Sequence, residues 1–403
     1  MKHSSRRDFL AVAGTLLAAM PFSALAEEQT KSFLPADWKP KEEGDKVLNR
    51  LIKVTAEKVK GAHDGHFTII DDYAYIAAEL NDEKGGESAS WNYIYVALSI
   101  VNVKTMKVEQ IIPIAKQEQK FENETLPIGA CFVPRVIQID AKTLRCYFAS
   151  ENPGKRQSQM YFVDFDLKTR TPSNRLNRVK LKTEDGIFDM QPQYFYQSAV
   201  KSGFKKNAKD YGMYLFEPFK RIDSKIYVDL NNYPIGQQAL GVWNDTFDTV
   251  EIVGHFNEPQ DVKLSEAAVN KLPDGTWLAI CRNDTKPRNY MFTTSKDGKH
   301  WTEAEFRDFI PNGGNSKPTF DKFNGIYYLG WQESTRINEV SRSVFNIDIS
   351  ADGKNWFRKY RFETEKSFQY PVFVQYNGHI YLITSQGDSS PSRKERIMFG
   401  MLE

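Results

Sequence analysis

The densest chemical cluster in the chain is His63-Asp64-Gly65-His66, two imidazoles and a carboxylate within four residues. An imidazole with an ordinary pKa near 6.5 accepts a proton at neutral pH, so either histidine is a candidate catalytic base. Strand alternation would send His63 and His66 to opposite faces, so one of them is expected at a site. His255, His300 and His379 read as structural. A second chemical class is arginine and lysine in polar stretches: Arg135, Arg156, Arg282, Arg288, Lys317 and Arg336. Guanidinium groups bind carboxylates with two parallel hydrogen bonds, which suits an acidic substrate. The competing use of these cations is structural pairing with Glu79, Glu87, Glu151 or Glu333. No HExxH, paired-His or paired-Cys spacing occurs, so no metal or cofactor is called for, although loop carboxylates leave room for a structural calcium ion.

These residues recur at two kinds of position. One set begins a β-rich run: AHDGHF (62–67), ACFVPR (130–135), FDMQPQ (188–193), LSEAAV (264–269), NSKPTF (315–320) and FQYPVF (368–373). It offers His63, Asp64, Arg135, Gln191, Gln193, Glu266, Lys317, Gln369 and Tyr370. Proline follows a polar residue at 192, 318 and 371, as a strand start tolerates. The other set is polar loops one strand later, at 79–91, 151–159, 231–238, 282–289, 332–342 and 386–396, and it offers Arg282 and Gln332.

The element that repeats is a turn followed by an aromatic or aliphatic strand. Tyr75, Tyr147, Tyr227, Leu278, Tyr328 and Tyr381 mark six copies, spaced by 72, 80, 51, 50 and 53 residues. A second turn follows one strand later in five of the copies; the sharpest are TSKDGKHW and ISADGKNW, with Asp297 and Asp352 55 residues apart. A four-strand unit of about 50–55 residues is a propeller blade, and a propeller gathers both loop sets at one funnel. The fold expected is all-β, a single β-propeller of four-stranded antiparallel blades. Seven blades fit the length best, with six as the fallback; the long intervals would hide a degenerate blade around 183–215. The last repeat lacks a fourth strand, which Val47–Val59 is placed to supply. Helical periodicity is confined to Asp45–Lys60 and Gln197–Lys209. Cys131, Cys146 and Cys281 form no disulfide framework, although the first two could pair across neighbouring strands.

Residues 1–26 read as a targeting segment: Lys2, Arg6 and Arg7, an apolar run from Phe9 to Met20, then Ala24-Leu25-Ala26. Arg6-Arg7 with Phe9 and Leu10 fits a twin-arginine export signal, so a periplasmic or secreted protein is expected. Residues 27–403 would form one catalytic domain. The net charge of +2 resides entirely in the first 26 residues, which leaves a neutral body with no footprint for nucleic acid or an anionic membrane surface. A monomer is expected.

The SxDGxxW turns resemble the Asp-box of sialidase-type propellers, a mark of fold and not of chemistry. The stretches 61–82, 121–135, 189–195, 315–333 and 367–371 resemble secreted bacterial propellers acting on rhamnose–glucuronic acid linkages, a group of α-L-rhamnosidases with related polysaccharide lyases. That resemblance implies seven blades, a shallow carbohydrate site and one essential histidine near the start of the first blade, matched here by His63 with His66 as competitor.

The leading expectation is therefore an exo-acting glycoside hydrolase that removes α-L-rhamnose from glucuronic acid in acidic oligo- or polysaccharides. Its catalytic residues would be His63 or His66. Arg135, Gln191, Gln193, Tyr194, Arg282, Lys317, Gln332 and Tyr370 would bind substrate. The runner-up is a lyase acting at a uronic acid, with a histidine base, Tyr194 or Tyr370 as proton donor and a cation on the carboxylate. A sialidase would need several arginines and a Tyr–Glu nucleophile pair. A non-catalytic glycan-binding propeller would need aromatic platforms such as Trp91, Tyr233 and Trp331.

Overall fold

The computed structural model describes residues 34–403 apart from 84, 86–91, 153–156, 205–211, 234–235 and 389–393. The targeting segment 1–26, Trp91 and Arg156 lie outside the described residues, as does the side chain of Tyr233. The body begins with helix α1 (Pro40–Leu48), whose proline sits in the first turn, where its missing N–H costs no hydrogen bond. Strand β1 (Ile52–Lys53) follows.

Six sheets come next among the described residues. Blade 1 is β2 (Gly61–Ile70), β3 (Tyr73–Asn81), β4 (Tyr95–Asn102) and β5 (Lys107–Ala115). Blade 2 is β6 (Cys131–Gln138), β7 (Thr143–Asn152) and β8 (Gln157–Asp166), edged by the short β9 (Thr171–Pro172) and β10 (Asn177–Arg178). The chain then forms the hairpin β11 (Lys180–Thr183) and β12 (Gly186–Asp189) and helix α2 (Pro192–Lys201). Blade 3 is β13 (Gly212–Ile222), β14 (Lys225–Tyr233), β15 (Gln238–Trp243) and β16 (Thr249–His255), with β11 added parallel to β16. Blade 4 has three strands, β17 (Leu264–Lys271), β18 (Trp277–Asn283) and β19 (Met291–Ser295). Blade 5 is β20 (Thr319–Phe323), β21 (Ile326–Gln332), β22 (Val344–Ser350) and β23 (Phe357–Glu363). Blade 6 is β24 (Gln369–Tyr376), β25 (His379–Gln386) and β26 (Arg396–Met401). Its fourth strand is β1, with Ile52 opposite Phe399. The N-terminal segment thus closes the ring as the sequence suggested.

The innermost strands touch in the order β2, β6, β13, β17, β20, β24 and back to β2. The six repeat markers all fall on second strands. Second strands are sandwiched between neighbouring blades, so β3 and β21 are buried at nearly every position, whereas the outer β5 alternates little and faces water. The expected seventh blade is absent among the described residues, and the ring closes with six. The interval of 80 residues holds the β11–β12 hairpin and α2, and the interval of 72 holds the long connection from β5 to β6. Both are additions to a blade. The helices also start earlier than their apolar periodicity indicated, because Pro40 and Pro192 set their first turns.

Two local devices fix the turns of every blade but blade 2. Asp71 and Asp72, Asp223 and Ser224, Asn324 and Gly325, and Asn377 and Gly378 all have positive φ, the requirement of a two-residue turn matched to strand twist. In the box hairpins, Ser295 Oγ accepts from Gly298 N at 2.9 Å, and Asp297 Oδ1 accepts from Lys299 N at 2.8 Å and His300 N at 2.9 Å. Ser350 and Asp352 repeat this network on Gly353, Lys354 and Asn355. Trp301 packs on Phe256 and Trp356 on Phe309. Cys131, Cys146 and Cys281 are free and buried. Cys131 lies opposite Ser150 and Cys146 opposite Val136, so the suggested Cys131–Cys146 pairing does not occur.

Candidate functional site

The innermost strands enter the funnel irregularly. Register shifts occur at His63/His66 in β2, Phe132/Arg135 in β6, Leu215/Glu217 in β13, Leu264/Ala267 in β17 and Gln369/Val372 in β24. A bulge adds a residue to one strand and re-aims its side chain. Five blades therefore direct the residues at these entries toward the axis. Asp64 (φ 40), Val133 (φ 52) and Tyr370 (φ 51) take left-handed backbone, which is uncommon for a valine or a tyrosine.

The convergence creates one cross-blade triangle. The Tyr370 hydroxyl donates to Glu266 Oε1 at 2.6 Å. Arg282 Nη1 donates to Glu266 Oε2 at 2.9 Å and to Tyr370 Oη at 2.7 Å. Arg282 Nε is held by Asp284 at 3.0 Å. Tyr370 and Glu266 are nearly buried. Burial pushes the phenol well above its ordinary range; Glu266 adds to the rise, and Arg282 and Arg342 oppose it. Burial opposes the charge on Arg282, yet Glu266, Tyr370 and Asp284 hold its pKa well above normal. Arg342 lies 5.7 Å from the Tyr370 ring centre and donates to Gln369 Oε1 at 2.9 Å, an uncharged partner.

His63 completes this group. Its ring lies 4.3 Å from that of Tyr370, and its Nδ1 is 3.1 Å from Ser385 Oγ. Its Nε2 is buried with no hydrogen-bond partner among the described residues. Burial first, then Lys394, Arg342, Lys317 and Arg282, hold its pKa well below the usual value. It is a neutral imidazole at neutral pH.

The funnel floor is ionic. Arg135 pairs with both Asp64 oxygens at 3.1 and 2.9 Å. Lys317 Nζ lies 3.7 Å from Asp64 Oδ1 and donates to Phe216 O at 3.3 Å. All three side chains are buried. Further along the axis, a cavity of about 190 Å³ is lined by His66, Glu217, Lys220 and Asp321.

The residues expected from sequence are thus divided. His63, Arg282, Lys317 and Tyr370 come together. His66 does not join them: it accepts from Val136 N at 3.3 Å and lines the lower cavity, because the bulge after His63 breaks the simple alternation. Arg135 belongs to the floor instead, its guanidinium committed to Asp64, Leu215 O and Pro134 O. Gln191, Gln193 and Tyr194 sit on no innermost strand. Gln191 caps α2, Gln193 is exposed on it, and Tyr194 stacks on Phe188 at 4.2 Å. The cause is Pro192, which keeps Gln191 extended (φ −125, ψ 150) and starts a helix instead of a strand. Gln332 is buried and donates to Val344 O at 2.6 Å. Arg288 and Arg336 are exposed, Glu333 pairs with Arg361 at 2.5 Å, and Trp331 is buried with its indole N–H on Asp348 at 2.6 Å. Arg342, Ser385 and Lys394 were missed. Arg342 and Lys394 lie near the ends of loops and Ser385 near the end of β25, where no local pattern singles out one side chain. Among the described residues, no group of three or more His, Cys, Asp or Glu could hold a metal ion, and no helix is long and apolar enough to cross a membrane.

No family model matches the chain, and no curated protein does. Solved structures share its fold. A protein of unknown function from Dyadobacter fermentans DSM 18053 has 11% identity over 87% of this chain and 97% of that one, with a TM-score of 0.57. The NanB sialidase from Streptococcus pneumoniae has 12% identity over 88% and 71%, with a TM-score of 0.56. Trypanosoma rangeli sialidase in complex with sialic acid has 10% identity over 92% of this chain but only 59% of that one, with a TM-score of 0.54. The chain has a sialidase-like propeller fold.

Proposed function

We propose that this protein is a glycan-acting propeller hydrolase that removes a terminal, carboxylate-bearing sugar from an acidic oligo- or polysaccharide. The observation that carries the reading is the triangle of Tyr370, Glu266 and Arg282. A phenol is a poor nucleophile while protonated, and Tyr370 is held protonated at rest. Glu266 is hydrogen-bonded to its proton and is the base that takes it as Tyr370 Oη bonds to the anomeric carbon and the glycosidic carbon–oxygen bond breaks, the leaving oxygen taking its proton from water. Arg282 stabilises the charge that develops on the phenolic oxygen. Water then attacks the anomeric carbon and gives up one proton to solvent as the bond to Tyr370 Oη breaks, and Glu266 returns the proton it holds to the phenolate. Arg342, whose side-chain partner is an amide, is the cation offered to the substrate carboxylate. The closed floor of Arg135, Asp64 and Lys317 supports action on a chain end. Export through the twin-arginine signal would place the activity outside the cytoplasm.

Aryl glycosides test this, because their leaving groups need no protonation. A fluorogenic sialoside and a glucuronide would be assayed with the parent protein, Tyr370→Phe and Glu266→Gln. Each variant is expected to lose about 10²–10⁴ of turnover while folding normally. Full activity in Tyr370→Phe sinks the reading.

A second reading keeps α-L-rhamnose on glucuronic acid as substrate, with His63 as base. It is favoured by the buried, unpartnered Nε2 of a neutral imidazole. Gum arabic separates it. Free rhamnose that is abolished by His63→Ala but not by Tyr370→Phe selects the His63 hydrolase. Rising absorbance from unsaturated uronates selects a lyase.

A further inference from the structure

We propose that Arg135 is a positioning residue that latches three blades together and thereby holds the His63 imidazole against Tyr370. The proposal rests on the reading that Tyr370 and Glu266 act on the sugar, with His63 beside them. Arg135 is the first paired residue after the bulge of β6. Its Nε donates to Leu215 O of blade 3 at 2.7 Å. Its Nη1 donates to Pro134 O of its own blade at 2.6 Å and to Asp64 O of blade 1 at 3.3 Å. Its Nη2 donates to both oxygens of the Asp64 carboxylate. All three acceptor strands are bulged at the funnel end, where regular ladder bonds are interrupted.

The geometry demands a guanidinium. Three nitrogens in one plane reach three blades at once, whereas an ammonium is a single point. Asp64 is also the residue whose backbone needs holding. It lies at φ 40, a conformation that side-chain-bearing residues leave unless contacts fix it. Arg135 grips both its carbonyl and its carboxylate. His63 is the preceding residue, and its ring has one side-chain hydrogen bond among the described residues, at Nδ1 to Ser385. The backbone at Asp64 therefore sets where the imidazole points. Lys317 approaches the same carboxylate from blade 5 but at 3.7 Å, so it adds charge and little direction.

The test reads the ring and not only the rate. The full chain would be labelled with ¹³C,¹⁵N-histidine, and the His63 signal assigned with a His63→Gln variant. A ring 4.3 Å from Tyr370 carries a ring-current shift. In Arg135→Lys, with native circular dichroism, the His63 signal is expected to move toward unstacked values and broaden, while His255 and His379 stay put. KM for the fluorogenic glycoside should rise at least tenfold. An unmoved His63 signal in folded Arg135→Lys overturns the proposal. If Arg135→Lys does not fold, Asp64→Asn, which keeps the side-chain shape, carries the same readout with the same two outcomes. The signal needs no substrate. Inactive parent protein or fully active Tyr370→Phe would therefore count against the functional reading, and an unmoved ring against the latch.

Discussion

Arg282 and Arg342 show how two like residues divide the work of one site. Arg282 is committed, bonded to Glu266, Asp284 and Tyr370. Among the described residues the side-chain hydrogen bond of Arg342 goes to a neutral amide, and its backbone lies at φ 58, so a strained residue presents this charge. Hydrogen bonds to charged groups contribute about 1.5–3 kcal/mol. Arg342→Gln should therefore raise KM for a carboxylated aryl glycoside by about 10–100-fold. The value of kcat should change only a few fold. Initial rates across a substrate series check this. A collapse of kcat at constant KM would instead place Arg342 on the transition state.

Among the elements, the additions to blade 3 carry their own titration. His255 ends β16, and its Nε2 lies 2.9 Å from Ser198 Oγ on α2, with Phe195 at 5.1 Å. Burial holds its pKa down at about 4. The native imidazole stays neutral where the unfolded one, with a pKa near 6.5, gains a proton. The unfolded state then binds more protons, so stability rises with pH across that window and is lost as pH falls from about 6.5 to about 4. One such group contributes a slope of about 1.4 kcal/mol per pH unit. His255→Gln should flatten the acid limb of a urea-midpoint profile by that amount. An unchanged limb would mean that α2 separates from β16 before the histidine titrates.

At the scale of the whole molecule, six blades close on a two-residue strand. Ile52 and Lys53 pair with Phe399 and Met398, Val54 N donates to Ile397 O at 2.9 Å, and Trp38 Nε1 donates to Lys359 O at 2.7 Å. This seam joins the start of the body to blades 5 and 6 and covers the edge of β26. Val54→Pro removes the donor and should cost about 2–3 kcal/mol, read as a lower urea midpoint with a native spectrum. An unmoved midpoint would show that the ring holds without this strand.

The sequence by itself determined the repeat. The Asp-Asp, Asp-Ser, Asn-Gly and Asn-Gly turns need left-handed backbone, and the Ser–Asp–Trp boxes satisfy their own donors, so local chemistry alone writes those blades. Residues that contact neighbours in sequence were legible for that reason, as were His63, Lys317 and Tyr370 at strand starts. Blade number was not, because Pro192 turned an apparent strand entry into a helix and length alone could not separate an insertion from a blade. The site was not legible either. Tyr370 and Glu266 are 104 positions apart, and Arg135 meets Leu215 across 80. Such pairs exist only once strand bulges from different blades face one axis. Tertiary structure alone decided that Arg135 is floor, that Arg342 lies beside Tyr370 on an amide, and that a phenol lies on a carboxylate.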